Sequence, residues 1–287
     1  MRNIIIILNY NDYENTKELL NKISRYSCLY HIIVVDNVSS DGSYEKLLDF
    51  KMEKISVIRS DRNGGYSYGN NYGVLYAVNN FNHIDNIIIS NPDVDFSEQT
   101  IREMEKCIKK ENIALVGAVV KSFEGELVKG FAWKHFDYEF IIRGASRIYN
   151  QISKHVITHR SIYYDTGMLD KTDCLEVDTV AGCFFMIRLN TFLKVGLFDE
   201  RCFLYCEEDI LSVKLRKLSD ECKKEVVATK AVVFHKGSGT INKNIKTKKT
   251  LNRYSYNSRI LYMKEYLGVP SIGIMLYKLL LRARRLI

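Results

Sequence analysis

Residues 3–11 of the chain read Asn-Ile-Ile-Ile-Ile-Leu-Asn-Tyr-Asn. The apolar run inside this stretch does not alternate with polar residues, which is typical of a strand buried on both faces of a sheet. The polar Asn-Tyr-Asn ends the run well short of a secretory signal or a membrane span. We therefore predict a first buried strand here, and we expect a protein that is made and stays in the cytoplasm.

The same pattern recurs through the first 120 residues. Short apolar runs at 31–35, 55–58, 87–89 and 114–120 alternate with segments whose apolar residues recur at helical spacing. Strands of this kind, separated by amphipathic helices, form a parallel sheet covered by helices on both faces. The sequence therefore predicts an α/β fold with a mostly parallel, Rossmann-like sheet.

The second half of the chain is less regular. Residues 121–175 show no clear period, so we expect loops and short elements there. We divide the chain into a domain over residues 1–240 and a basic helical extension over residues 241–287. The later patterns predict a strand, two helices, a strand and a helical stretch broken near Gly268-Val269-Pro270, at residues 176–188, 191–195, 207–218, 226–234 and 251–287.

The composition is that of an ordinary globular protein. The chain has 287 residues, 26% of them charged, and a formal charge of +8, which excludes disordered and collagen-like classes. Its seven cysteines are odd in number and scattered, so we expect buried thiols in a reducing compartment rather than disulfides or a zinc site. The basic charge suggests nucleic acid, but no binding motif accompanies it and we expect no nucleic-acid partner.

Polar residues follow four predicted strands, at the edge of a parallel sheet where ligands bind. The segments are also rich in ordinary turn residues, although a carboxylate directly at a strand end is poorly explained as a turn. Neither a G-x-G-x-x-G nor a P-loop motif is present, which disfavours a dinucleotide dehydrogenase or a P-loop kinase. The candidate residues are Asn9, Tyr10, Asn11, Asp36, Asn37, Ser39, Asn63, Gly64, Gly65, Asn70, Asn91 and Asp93.

Two motifs suggest ionic chemistry. Asn91-Pro92-Asp93 suits a hard divalent cation when a substrate diphosphate completes the shell, although alone it is more often a turn. Glu207-Glu208-Asp209 opens a predicted helix, where acids favour the helix dipole. Crowding also raises the pKa of at least one of the three, as a general base requires. His235 ends the last predicted strand; a capping or core role is its plain alternative.

In their order along the chain, these motifs resemble the inverting family-2 glycosyltransferases of the GT-A fold. The resemblance is closest to the rhamnosyltransferase-like branch that builds bacterial surface polysaccharides such as capsule or O-antigen. It covers roughly residues 3 to 240. Beyond the segments already given, it is carried by Ala181-Gly182-Cys183-Phe184-Phe185-Met186, Gly196, Phe198-Asp199-Glu200 and Phe203-Leu204-Tyr205.

The resemblance implies a role for most of these positions. Asn9 and Tyr10 would line a nucleotide pocket, and Asp36 would accept a hydrogen bond from a pyrimidine N–H. Asn70 would approach the ribose or the donor sugar. The remaining strand-end candidates are assigned to the nucleotide-sugar, and Gly182 and Cys183 to the acceptor side.

The resemblance also implies a metal and a base. Asp93, with Asn91 in place of the usual first carboxylate, would hold Mg²⁺ or Mn²⁺ on the diphosphate, with His235 as a further ligand. The family commonly shows Glu-Asp-hydrophobic-Asp where this chain has Glu207-Glu208-Asp209-Ile210. Aligned from Phe203, Glu208 falls where the base usually stands, and Asp209 and Glu207 are the alternatives. Asn91 leaves one carboxylate in the metal motif and implies looser metal binding.

The implied reaction is transfer of a sugar from dTDP-rhamnose or a UDP-sugar to a hydroxyl of a growing, lipid-linked surface polysaccharide, with inversion. Two alternatives belong to other functional classes. A nucleotidyltransferase of the same fold would carry a glycine-rich basic signature after the first strand, which this chain lacks. A non-catalytic nucleotide- or glycan-binding module would not need the acidic triplet or His235.

The C-terminal stretch from Ile272 to Leu286 mixes apolar residues with a basic cluster. It resembles an interfacial helix attracted to anionic lipid of the inner leaflet, and it is too short to span a membrane. A helix docked on the core with a solvated basic end explains the pattern equally well. The stretch is also suited to pairing subunits, so the sequence leaves the oligomeric state open.

Overall fold

The computed structural model describes residues 1–146, 161–219, 223–237 and 247–283. The strands are β1 Asn3–Asn9, β2 Leu29–Asp36, β3 Ile55–Arg59, β4 Asn86–Ser90, β5 Val94–Phe96, β6 Ile113–Lys121, β7 Ala132–Trp133, β8 Cys174–Val177, β9 Thr179–Val180, β10 Phe184–Arg188 and β11 Lys224–His235. The helices are α1 Tyr13–Ile23, α2 Ser43–Leu47, α3 Gly65–Asn80, α4 Glu98–Ile108, α5 Tyr138–Ala145, α6 Leu189–Lys194, α7 Glu207–Arg216, α8 Lys248–Leu261 and α9 Ser271–Ala283.

The central sheet has the strand order β3-β2-β1-β4-β10-β6-β11-β5, with β8 beside β11. Its first four strands are parallel, and Ile4 to Ile7 of β1 are completely buried, as the unbroken apolar run predicts. Helix α3 packs on β1 and β2, and α4 packs on β6 and β11. The predicted α/β fold is confirmed.

The sheet becomes mixed beyond β4, because β10 runs antiparallel to both of its neighbours. The predicted single strand at 176–188 was wrong, since the segment forms β8, β9 and β10. Two backbone N–H groups in its middle bond outside the sheet ladder: that of Ala181 to the carbonyl of Phe131, and that of Gly182 to the carboxylate of Glu208. The interruption therefore brings the β9–β10 turn against α7.

A disulfide joins Cys107 of α4 to Cys174 of β8, 67 residues apart in the sequence. The expectation of free thiols was wrong for these two, because α4 packs on the sheet beside which β8 lies and so brings distant cysteines together. Disulfides are rare in reducing compartments, so the pairing also counts against that expectation. The other described cysteines are free and buried, whereas Cys222 lies outside the described residues.

The C-terminal helices pack on the body through an apolar cluster of their own. It joins Ile141 of α5 and Ile210 of α7 to Tyr262, in a π-helical turn over Tyr262–Tyr266, and to Tyr277 of α9. The predicted break in this helical stretch separates that turn from α9. Among the described residues, no helix is both long and apolar enough to cross a membrane.

Helix α9 has two apolar faces. The inner face, which includes Ile274, Tyr277 and Leu281, is buried against the body. The outer face stays in solvent, and its side chains are spaced as one stripe of a helix. The exposed residues are Ile272 at 71%, Met275 at 55%, Leu276 at 45% and Leu279 at 53%. In the basic extension over residues 241–287, Lys278 and Arg282 are described, whereas Lys243, Lys246, Arg284 and Arg285 lie outside the described residues.

Candidate active site

A cavity of about 830 Å³ opens where the parallel strands end and α7 begins. Residues far apart in the sequence meet there because the carboxyl ends of parallel strands share one edge of a sheet. The cavity brings together these predicted site residues: Tyr10, Asn37, Asn63, Gly65, Asn91, Asp93, Gly182, Cys183, Glu207, Glu208, Asp209 and His235.

The other predicted site residues do not line the cavity. Asp36 is completely buried and accepts hydrogen bonds from Asn9 Nδ2 at 2.8 Å and from the Ser39 backbone N–H at 2.9 Å. Asn11 is held by the same loop, since its side-chain oxygen Oδ1 accepts a hydrogen bond from the Ser40 backbone N–H at 2.8 Å. Asp36 therefore does not reach the cavity with the other acids; it fixes the turn that presents its neighbour Asn37.

Asn37 connects this turn to Asn63 and Gly65, which form the next part of the cavity wall. Its amide nitrogen donates to Asn63 Oδ1 at 3.0 Å and to the Gly65 carbonyl at 3.1 Å. Gly65 has φ +81°, and a Cβ there would overlap the carbonyl of Phe203, so only glycine fits. Gly64 lies beside this wall without lining the cavity, and Asn70 is buried inside α3.

Asp93 and His235 form a pair at the cavity. Antiparallel pairing of β5 with β11 places His235 opposite Val94, so its Nε2 lies 3.3 Å from Asp93 Oδ1. That carboxylate oxygen is buried and accepts no hydrogen bond. A buried, unpartnered carboxylate oxygen beside an imidazole is a donor set that suits a divalent cation. No cluster of three or more His, Cys, Asp or Glu side chains with metal-binding geometry occurs in the described ranges.

The three acids open α7 after a strained turn. Tyr205 and Cys206 both have positive φ, 73° and 66°, which is uncommon for residues with side chains. This backbone conformation directs the first turn of α7 towards the cavity. The three acidic side chains therefore enter it from consecutive helix positions.

The acids differ in their partners. Glu208 accepts a hydrogen bond from the Gly182 backbone N–H at 3.1 Å, and Asp209 accepts one from Trp133 Nε1 at 2.8 Å. Glu207 Oε1 is buried and has no partner. The acids thus share a site but not an environment.

Burial also shifts the pKa of each acid upward. Burial together with the Asp209 charge raises the pKa of Glu208 to about 7, and burial raises the pKa of Asp209 to about 6. Burial and the Glu208 charge raise the pKa of Glu207 well above its ordinary value. Carboxyls with such values exchange protons near neutral pH, as acid–base catalysis requires.

Several lining residues were missed by sequence reasoning. Trp133 comes from the irregular region, and its being the only tryptophan was the one available signal. Phe203 and Tyr254 stack with ring centroids 4.4 Å apart. Tyr254 and Arg259 of α8 lie in a segment whose sequence pattern indicated a helix but not which face meets the cavity.

A family model described as glycosyl transferase family 2 matches residues 4–192, well over half of the chain. The chain belongs to glycosyltransferase family 2.

This family-2 glycosyltransferase has relatives at moderate identity. It is 26% identical over 209 residues to the low-salt glycan biosynthesis hexosyltransferase Agl10 of Haloferax volcanii, covering 71% of the chain but only 58% of Agl10. It is 26% identical over 217 residues to the rhamnosyltransferase WbbL of Escherichia coli, covering 74% of the chain and 75% of WbbL. The family and these relatives support a transferase activity, and the chain spans just over half the length of Agl10.

Solved structures show the same fold. The mannosyltransferase PcManGT of Pyrobaculum calidifontis, in complex with GDP-Man and Mn²⁺, aligns with a TM-score of 0.56 at 13% identity, over 98% of this chain and 74% of its own. GalNAc-T7 with UDP, GalNAc and Mn²⁺ aligns with a TM-score of 0.62 at 15% identity, over 92% and 49%. At these identities the likeness concerns the fold, which is GT-A.

The family model does not extend over all of the residues that line the cavity. It includes Asp93 and Gly182 but ends at residue 192, before the acids of α7, His235 and all of α8. The roles of those later residues in this glycosyltransferase therefore have to be argued from the cavity itself.

Proposed function

We propose that this enzyme transfers a sugar from a nucleoside-diphosphate donor to an acceptor hydroxyl with inversion at the anomeric carbon. The observation that carries the proposal is the single cavity shared by the Asp93–His235 pair and the acids of α7. Such a cavity offers a diphosphate site and a proton acceptor together, and inversion needs only one displacement between them.

The donor would lie against the strand ends. Asn37, Asn63 and Tyr10 line that side of the cavity, backed by the buried Asp36 network. Amide and phenol groups suit a nucleobase and a ribose. We propose dTDP-rhamnose or a UDP-sugar as the donor, and the rhamnosyltransferase relative supports rhamnose as the sugar.

Asp93 and His235, with Asn91 lining the same cavity, would hold Mg²⁺ or Mn²⁺. The buried Asp93 Oδ1 fits this role because it accepts no hydrogen bond, and a buried polar oxygen without a donor is otherwise costly. When bound, the cation would offset the negative charge that develops on the departing diphosphate. Mn²⁺ is named in the PcManGT and GalNAc-T7 structures, which supports the same requirement here.

Glu208 is our choice of base. Its carboxylate takes the proton of the acceptor hydroxyl as that oxygen bonds to the anomeric carbon, while the bond from that carbon to the diphosphate breaks. A pKa near 7 lets Glu208 be ionised yet basic at neutral pH. Asp209 is held by Trp133, and the pKa of Glu207 is raised well above its ordinary value, so both are less suitable.

The acceptor would enter past Gly182 and Cys183, beside Glu208. We propose a growing, lipid-linked cell-surface glycan, such as capsule or O-antigen, as the acceptor. The relatives with glycan and rhamnosyl activities favour it. They also favour glycosyl transfer over nucleotidyl transfer or a non-catalytic binding role.

We further propose that the enzyme is cytoplasmic and touches the inner face of the plasma membrane through α9. Its Cys107–Cys174 disulfide would then be an exception to the rarity of disulfides in that compartment. The outer apolar stripe of α9 lies beside Lys278 and Arg282, and apolar side chains flanked by cations suit an anionic lipid surface. Such contact would keep the cavity near a lipid-linked acceptor.

The proposed function is tested with a panel of UDP-, dTDP- and GDP-sugars, with and without Mn²⁺, in assays of donor binding and hydrolysis. We expect one nucleotide to bind in the presence of metal and its sugar to be released slowly to water. Absence of binding by every member of the panel, with metal present, would reject the proposal.

A further inference from the structure

One face of α8 forms a polar wall of the cavity. Thr250, Tyr254, Ser255 and Arg259, with the N-cap residue Thr247, are spaced three to four residues apart or adjacent, as on one side of a helix. A helix docked only for stability turns apolar residues inward. Helix α8 does pack Tyr256, Ile260 and Leu261 against the C-terminal apolar cluster, but its cavity face is polar. Its most buried residue is Ser258, which donates to the Leu204 carbonyl at 2.9 Å.

Arg259 is the cationic member of this wall. It is half-buried, lies beside the Tyr277 hydroxyl of α9, and is close enough to Asp209 for their charges to interact. No salt bridge joins Arg259 to an acid in the part of the chain that the structure describes. A guanidinium is always charged and presents a planar fork that matches carboxylate or phosphate. A partly desolvated fork at a cavity is therefore suited to an anionic ligand.

The neighbours of Arg259 indicate which substrate carries that anion. The donor-side residues belong to the strand ends, whereas Arg259 lies close enough for charge interaction to Asp209, the sequence neighbour of the proposed base Glu208. Through Tyr277, Arg259 also meets the inner face of α9, whose outer face carries the exposed stripe. A helix with its side chains is about 10 Å across, so the proposed lipid contact lies roughly one helix diameter away.

We propose that Arg259 binds an anionic group of the acceptor, a phosphate or a carboxylate. The proposal rests on the proposed function, because it takes the cavity to be the transferase site. The diphosphate of a lipid-linked acceptor and the carboxylate of an acidic sugar are the two sources of this chemistry. The Phe203–Tyr254 stack beside it offers an apolar surface for the attached sugar.

The test uses octyl diphosphate, octyl glucuronide and the neutral octyl glucoside as ligands in calorimetric titrations. The protein is kept in EDTA, so that no cation at Asp93 and His235 binds the diphosphate. Wild type is compared with Arg259→Gln and with the control Arg253→Gln, whose residue is exposed on the same helix and does not line the cavity.

We expect at least one anionic ligand to bind wild type more tightly than the glucoside. Arg259→Gln should weaken that ligand about tenfold or more, as loss of a charge-assisted pair implies, whereas Arg253→Gln should not. The ligand that responds identifies the source of the anion. Because the anionic and neutral ligands are titrated into one preparation, the ratio of their dissociation constants does not depend on the folded fraction. Arg259→Lys keeps the positive charge and should give a smaller loss of affinity.

Three results would overturn the proposal. One is the absence of any preference for the anionic ligands in wild type. Another is equal weakening of UDP in a parallel titration, which would assign Arg259 to the donor. The third is an unchanged ratio of the anionic-ligand affinity to the glucoside affinity in Arg259→Gln, together with a shifted pH profile of donor hydrolysis. That result would make Arg259 a counter-charge to the acids. Donor hydrolysis by wild type tests the proposed function separately.

Discussion

The backbone N–H of Gly182 donates a hydrogen bond to Oε1 of Glu208 over 3.1 Å, and a Cβ at position 182 would overlap that carboxylate. The turn between β9 and β10 thus holds the candidate base in place, and it does so only because position 182 has no side chain. The Tyr66 hydroxyl fixes the next peptide group by donating to the Gly182 carbonyl at 2.6 Å.

Gly182→Ala should therefore reduce turnover without abolishing nucleotide binding. The new methyl group displaces the Glu208 carboxylate, and a misplacement of about 1 Å costs roughly 100-fold in rate. The measurement is kcat for transfer or donor hydrolysis, with UDP affinity measured in parallel. Gly130→Ala is the matched control. Gly130 lines the same cavity, but a Cβ there would meet only the Tyr163 ring, at 3.9 Å. Equal rates in both variants would contradict the role of Gly182.

Glu208→Gln should lower kcat by about 100-fold or more, while the affinity for the donor stays near the wild-type value. Since burial raises the pKa of Glu208 to about 7, the wild-type rate should rise with pH through about 7, as the carboxyl loses its proton and becomes able to accept another. The pH–rate profile of donor hydrolysis measures this. A normal rate in Glu208→Gln would move the role to Asp209 or Glu207.

The sequence predicted the strand ends well because each apolar strand is followed by its own polar segment. Asn37 and Asp93 were found in this way, whereas Glu208 was found among the acids that open a predicted helix; all three line the cavity. It failed for Asp36, because composition does not tell which of two adjacent residues at a strand end turns inward. The Cys107–Cys174 pair and the α8 wall depend on packing between distant segments, which no local pattern records.

Asp93→Asn should weaken nucleotide binding in the presence of Mn²⁺ by about tenfold or more and leave binding in EDTA nearly unchanged. The amide keeps the shape of the side chain but removes the charge that attracts a divalent cation. Titration of UDP with and without Mn²⁺ measures the difference. The control is Asp95→Asn, two residues along, where the native carboxylate is exposed and pairs with Lys22. Metal dependence that survives in Asp93→Asn would argue against this site.

Replacing Leu276 and Leu279 of α9 by serine should weaken binding to vesicles that contain anionic lipid. Burying two leucines in the interface is worth roughly 3 kcal/mol or more, so partitioning should fall about 100-fold. Sedimentation with anionic and neutral vesicles measures it, and Leu75→Ser, at another exposed leucine, is the control. Donor hydrolysis should stay at the wild-type rate, since neither leucine lines the cavity. Unchanged partitioning of the α9 variant would defeat the membrane proposal.

Glu225 of β11 should make the protein less stable as the pH rises. It is buried outside the cavity lining, and burial raises its pKa from 4.5 to about 8. Between these values the folded chain keeps the proton and the unfolded chain releases it, so the free energy of unfolding falls with increasing pH until about 8. Glu225→Gln removes this titration and should be more stable than wild type at pH 8.5 by roughly 1–4 kcal/mol.

Urea unfolding of wild type and Glu225→Gln at pH 5 and pH 8.5 measures this difference. The other buried acids titrate in both proteins, so the comparison isolates Glu225. Glu176→Gln is the control, because that residue is exposed on the neighbouring strand β8 and pairs with Lys224. If wild type and Glu225→Gln lose stability equally between the two pH values, the carboxyl of Glu225 does not hold its proton in the folded state.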